Sequence, residues 1–126
     1  MEGKTTRFKS ESSEEDRKEQ SKKIREKNPD KIPIICEKHA KSKLENLDKS
    51  KFLVTDQYKV YQFIHLLRKR INLKQEEALY LFVNGRTLLK SDSKISEVYE
   101  RHKDSDGFLY IEFCEYSSFG SQILNQ

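Results

Sequence analysis

Two places in the chain hold residue types whose spacing could do chemistry. Cys36 and His39 lie three positions apart, the pairing found in thiolate–imidazole nucleophiles and in half of a zinc site. Near the other end Gly120 follows Phe119, past an apolar run from Phe108 to Phe113, with only Ser121 to Gln126 beyond it. Glycine has no Cβ, so its backbone can enter a narrow protease or adenylation cleft. On a short polar thread after a final strand it would offer a carboxyl group to other enzymes, and exposed termini are where proteolytic nicking concentrates. Blander readings compete with both. One Cys and one His without further ligands are far more often incidental, so neither metal nor catalysis is assigned and no cofactor is expected. Position alone favours an ordinary frayed terminus that happens to contain glycine.

The 126 residues argue for one domain, 34% hydrophobic and 37% charged. Before Ile32 the large apolar side chains are Met1, Phe8 and Ile24, so most of the core must come from Ile32 to Phe113. The net charge is +4, with 25 basic and 21 acidic residues. The basic excess gathers between Lys31 and Lys51, which can attract acidic peptides, anionic lipid or nucleic acid, and is more often a solvated face. No RNA-binding or zinc-finger signature accompanies it, and no nucleic-acid partner is expected. Cys36 and Cys114 belong to no C-x-x-C pair and sit in apolar stretches with no signal peptide before them. Buried, reduced thiols in the cytosol are the expected state. No apolar run approaches the roughly 20 residues that span a bilayer, so membrane association would need a modification or a partner.

These residues need elements to position them. Residues 14–27 read as a polar helix, capped by Ser13, acid-rich at its start and stopped by Asn28-Pro29. Residues 1–12 read as mobile or weakly helical. Lys31 to Lys38 reads as a strand, with Pro33 confining it to an edge or to its first residues. Lys51 to Thr55 reads as a second strand, antiparallel to the first. Val60, Phe63, Ile64, Leu67 and Ile71 form one helical stripe, with Arg68, Lys69 and Arg70 in its last turns. Ala78 to Val83 is a continuous apolar strand, Asn84-Gly85 a hairpin signal, and Arg86 to Leu88 its short partner. Ile95, Val98, Tyr99 and His102 share one face of a last helix, and Phe108 to Phe113 is the final strand. Without the first helix the order is β, β, α, β, β, α, β. That is an α+β fold with the order of a ubiquitin-like β-grasp roll, here with an N-terminal helical extension. The expected division is extension 1–30, ubiquitin-like domain 31–116 and flexible tail 117–126.

A resemblance covers the chain from about Arg17 to Gly120. It rests on Ile32-Pro33-Ile34-Ile35-Cys36-Glu37-Lys38, Lys51-Phe52-Leu53-Val54, Gln62-Phe63, Leu67-Arg68-Lys69-Arg70-Ile71, Phe82-Val83-Asn84, Tyr99, His102-Lys103-Asp104, Asp106-Gly107-Phe108-Leu109-Tyr110-Ile111 and Phe119-Gly120. These blocks resemble, in order and spacing, the autophagy ubiquitin-like modifiers, the family of GABA-receptor-associated protein and the microtubule-associated light chains. The resemblance implies a life cycle without catalysis by this chain. A tail-processing cysteine protease exposes Gly120, with Phe119 part of its recognition. Activating and conjugating enzymes pass the glycine to phosphatidylethanolamine. The protein, cytoplasmic until then, joins autophagosome and cytoplasmic vesicle membranes.

The resemblance also implies cargo receptors and adaptors that carry linear motifs, an aromatic residue three positions before an aliphatic one. Such a peptide would add to the second strand through Lys51, Phe52 and Leu53. Ile24, Pro33, Ile35, Lys51, Leu53 and Phe108 match the aromatic pocket. Phe52, Val54, Tyr58, Phe63 and Leu66 match the aliphatic pocket. Lys31, Lys49, Lys51 and Arg70 would face acidic residues preceding the aromatic. By alternation alone Phe63, Leu53 and Ile35 would be ordinary core. The chain departs from the family at several points. Ser12, Ser13 and Glu14 stand at an aromatic-proline site, Gln20 at a frequent acid and Thr55 at a common proline, and 86–90 lacks a proline pair. A second reading keeps the fold and the docking groove but leaves Gly120 unconjugated, an adaptor in vesicle trafficking.

Overall fold

The computed structural model describes residues 6–115. Helix α1 (Arg7–Ser10) is short and capped by Thr6, whose hydroxyl accepts from the Lys9 N–H at 3.0 Å. Helix α2 (Glu14–Lys27) has the predicted bounds. Ser13 accepts from the Asp16 N–H and the helix ends at Asn28. Strands β1 (Lys31–Lys38) and β2 (Lys51–Thr55) follow, then α3 (Val60–Arg68), β3 (Tyr80–Val83), β4 (Thr87–Leu88), α4 (Ile95–His102) and β5 (Leu109–Cys114). The strands form one sheet in the order β2-β1-β5-β3-β4, with β1 and β5 parallel and the other pairs antiparallel. This is the expected α+β, ubiquitin-like arrangement.

Of the two places Pro33 allows, the structure has the second: β1 lies between β2 and β5, and Pro33 is its third residue. The register explains how the sheet tolerates it. The Cys36 N–H donates to the Ser50 carbonyl at 2.8 Å. With two-residue alternation, Ile34 and Ile32 likewise face β2, and the donor that Pro33 lacks would point to the β5 side. There the parallel ladder begins only at Ile34, opposite Leu109, so no ladder bond is lost.

The same alternation divides the side chains between two faces. Ile32, Ile34 and Cys36 meet Phe52, Val54, Leu109, Ile111 and Phe113 in the core under α3, which adds Val60, Phe63 and Leu67. Helix α3 stops at Arg68, and Ile71 reaches the core from the turn beyond, so the apolar stripe outruns the helix. Lys69 is thus the C-cap and Arg70 lies outside. Asn84 and Gly85, at φ 57° and 76°, make the β3–β4 turn. On the opposite face α2 packs over β1. Arg17 there forms a buried ion pair with Asp106 at 2.8 Å, and Asp106 also takes the Tyr110 hydroxyl at 2.5 Å and the Phe108 N–H at 2.9 Å.

Where residues 1–12 are described they hold one short helix, as a weakly helical segment would, and that helix is docked. Phe8 and the backbone of α1 dock on the sheet, because the Arg7 and Phe8 N–H groups both donate to the Glu37 carboxylate, at 3.1 and 2.9 Å. Lys9 reaches Asp104 at 2.7 Å.

Candidate functional site

The arrangement best suited to recognition is the outer edge of β2. Among the described residues β2 has a neighbour on one side only. Phe52 and Val54 direct their backbone groups to β1, so Lys51, Leu53 and Thr55 present theirs outward. Leu53 is 44% exposed, an apolar side chain left at the edge between buried Phe52 and Val54.

The two sets of pocket residues separate by sheet face. Pro33, Ile35, Lys51, Leu53 and Phe108 lie on the face carrying α2, from which Ile24 comes and from which Gln20 accepts a hydrogen bond from Lys51 Nζ at 2.7 Å. Phe52, Val54 and Phe63 lie on the other face and belong to the core, with Phe52 and Phe63 edge-to-face at 5.5 Å. Tyr58 and Leu66 are half-buried against them. Most of these side chains are closed over: Ile35 and Phe108 are 1% and 0% exposed, and Pro33 is buried.

The charged residues divide too. Lys49 Nζ and the Arg70 guanidinium stand 5.9 and 5.6 Å from the Phe52 ring centroid, a pair of cations beside the edge. Lys31 is not with them. It pairs with Thr55 at the opposite end of the β1–β2 ladder, and its carbonyl accepts from Arg25 at 2.6 Å. Phe119 and Gly120 lie outside the described residues.

Cys36 and His39 form no reactive pair. Cys36 is fully buried in the core, and burial pushes its thiol well above the ordinary range, with Glu37 and Glu112 adding to the effect. His39 Nδ1 accepts from the Lys41 N–H at 3.0 Å. That leaves the proton on Nε2, 3.0 Å from the Gly85 carbonyl. Among the described residues no group of three or more His, Cys, Asp or Glu could hold a metal. Both cysteines are buried.

The family model described as "Autophagy protein Atg8 ubiquitin like" matches residues 16–120. The chain belongs to the Atg8 family. Autophagy-related protein 8 of Candida glabrata is 47% identical over 115 residues, 91% of this chain and 97% of that protein. The Schizosaccharomyces pombe protein of the same name is 44% identical over 116 residues, 92% and 95% of the two chains. The crystal structure of Trypanosoma brucei ATG8 superposes with a TM-score of 0.84 at 40% identity, covering 88% of this chain and 95% of that one. The chain is accordingly an autophagy ubiquitin-like modifier and not an enzyme. Membership in the Atg8 family brings its general partners, conjugation enzymes and cargo adaptors. No helix among the described residues is long and apolar enough to cross a membrane.

One residue at this Atg8-family edge escaped the sequence reading. Phe8 stands edge-on to Phe108, ring centroids 5.3 Å apart, with Lys51 Nζ 5.8 Å from its own centroid. The one available signal was a solitary phenylalanine in a polar segment, which says that it docks but not where.

Proposed function

We propose that the chain is conjugated through Gly120 to phosphatidylethanolamine and, once anchored, recruits cargo receptors through aromatic-x-x-aliphatic segments. A cysteine protease cuts after Gly120, reading Phe119. Activating and conjugating enzymes then carry the glycine as a thioester until the lipid amine takes it as an amide. The family match that runs through residue 120 supports this sequence of steps. A lipid with two acyl chains suffices for stable anchoring where one chain does not. The conjugate therefore resides on autophagosome and cytoplasmic vesicle membranes, and the unconjugated form in the cytoplasm.

The observation that carries the docking half is the edge of β2 with its two-faced apolar surroundings. An extended peptide pairs with the outward backbone groups of Lys51 and Leu53. Positions three apart on a strand point to opposite faces. An aromatic anchor thus enters on the α2 face, toward Ile24, Pro33, Ile35, Leu53 and Phe108. The aliphatic anchor enters on the α3 face, toward Phe52, Val54, Tyr58, Phe63 and Leu66. Lys49, Lys51 and Arg70 meet acidic residues ahead of the aromatic and act mainly on encounter and selection, while Lys31, at the far end of the ladder, is left out of that contact.

Two measurements test the proposal. Incubation with a family protease should remove Ser121 to Gln126, seen by intact mass, and persistence of the full mass would refute processing. Calorimetry with acidic aromatic-x-x-aliphatic peptides should give micromolar binding, roughly −8 kcal/mol. No binding to several such peptides would refute the groove.

A further inference from the structure

Ile35 sits opposite Lys51 on one side and Tyr110 on the other. The Phe8 ring reaches both, 5.8 Å from Lys51 Nζ and 6.5 Å from the Tyr110 ring, and stands edge-on to Phe108. A ring so placed packs on Phe108, which is 0% exposed, and lies between the two cross-strand neighbours of Ile35, which is 1% exposed. The chain thus lays an aromatic side chain of its own over the surface where a partner's aromatic would seat.

The element that carries Phe8 is weakly held. Helix α1 has four residues, none fully buried, and one turn has no stability of its own. It stays down through the Glu37 carboxylate at its first N–H groups, the Lys9–Asp104 pair and the Phe8 ring. Segments with so few buried contacts open locally at low free energy. Lys51 ties the ring to the partner's charge. The ammonium faces Phe8 and is held by neutral Gln20, not by an acid. An acidic peptide residue that draws Lys51 away removes the cation from the Phe8 ring and loosens its seat.

We propose that Phe8 is a built-in competitor for the aromatic pocket, so that a partner's aromatic enters only as Phe8 leaves, and acidic residues on the partner help to displace it. The inference rests on the groove reading above. It makes Phe8 a determinant of which peptides bind and how tightly, because a site occupied by its own chain lowers apparent affinity by the fraction of molecules in which it is free.

Calorimetry on the full chain tests it, with one acidic aromatic-x-x-aliphatic peptide and the same peptide carrying alanine at the aromatic position. Phe8→Ala should bind the first peptide roughly three- to tenfold tighter than wild type and the second no tighter, the gain expected when a competing state is removed. Glu37→Ala frees the start of α1 without touching the ring and should shift affinity the same way by less. It also serves as the test if Phe8→Ala does not fold. Binding by the variants that is unchanged or weaker, while wild type binds and circular dichroism shows them folded, overturns the inference. An equal gain for the alanine peptide overturns it too, since the competition would not be at the aromatic pocket. No binding by wild type or variants refutes the groove and the competitor together.

Discussion

Leu53 carries more of the docking reading than any other side chain, because it is apolar, exposed and on an edge strand whose neighbours are buried. Leu53→Ala should weaken an aromatic-x-x-aliphatic peptide by about 1–3 kcal/mol through lost apolar burial. Lys51→Ala should weaken it less, and less again at high salt, where the charge is screened. Calorimetry at two salt concentrations reads both. At the other functional position, Gly120→Ala should stop trimming or conjugation, since a methyl group enters a cleft shaped for glycine. Mass analysis of the recovered protein shows which step fails. Among single residues the sequence was informative where type and pattern agreed, as with Cys36, whose apolar surroundings predicted a buried thiol. It was uninformative about Phe8. Its seat is set by Phe108 and Tyr110, about a hundred positions away, and no local spacing encodes that.

Elements were legible when their ends carried local chemistry. Ser13 and Asn28-Pro29 bracket α2 at the predicted residues, whereas α3 ends before its predicted last turns because Ile71 continues the apolar stripe from a turn. The place of β1 in the sheet is left open by the sequence, since Pro33 reports only the side on which a donor is missing. What docks α2 is equally hidden in sequence. Arg17 pairs with Asp106, whose side chain is 0% exposed. Asp106→Ala strands the guanidinium and should cost about 3–5 kcal/mol in urea unfolding. Gly107, at φ 92°, lies where a Cβ would collide with Ser21. Gly107→Ala should cost about 2–4 kcal/mol from backbone and packing together. Adding Ser21→Gly should recover the packing share only, a non-additive pair. Helix α1 should respond to acid. Partial burial acts to raise the Asp104 carboxyl, but the bond from Lys9 and the Asp106 N–H outweigh it and hold it below its ordinary range. A depressed carboxyl contributes its stability in full above its unfolded value, near about 4. That contribution fades as pH falls below this toward the folded value. Protection of the α1 amides, measured against the intrinsic exchange rate at each pH, should therefore fall below about pH 4, and Asp104→Asn should flatten the dependence.

At the scale of the molecule the two proposed functions occupy different parts of the chain. The groove is on the folded domain and Gly120 lies beyond it, so Gly120→Ala should bind peptides normally and stay out of the membrane fraction. Phe52→Ala with Leu53→Ala should do the reverse, if circular dichroism shows the protein folded. Fractionation and titration of both variants check this, and a Gly120→Ala protein that remained membrane-bound would favour the unconjugated adaptor. The overall fold was readable because each element has a clear period and the order of elements admits few topologies. The pairing of β1 with β5, residues 31–38 with 109–114, has a mechanical consequence. The two strands run parallel at the centre of the sheet. Tension applied through the carboxyl end of β5 and the amino end of β1 pulls them in opposite directions along their length. Their hydrogen bonds are then loaded together in shear and do not open one after another, as they would if peeled from a hairpin end. A pull between the start of β1 and the end of β5 would therefore meet the sheet along its strongest line, whereas a pull on the outer strand β2 would not.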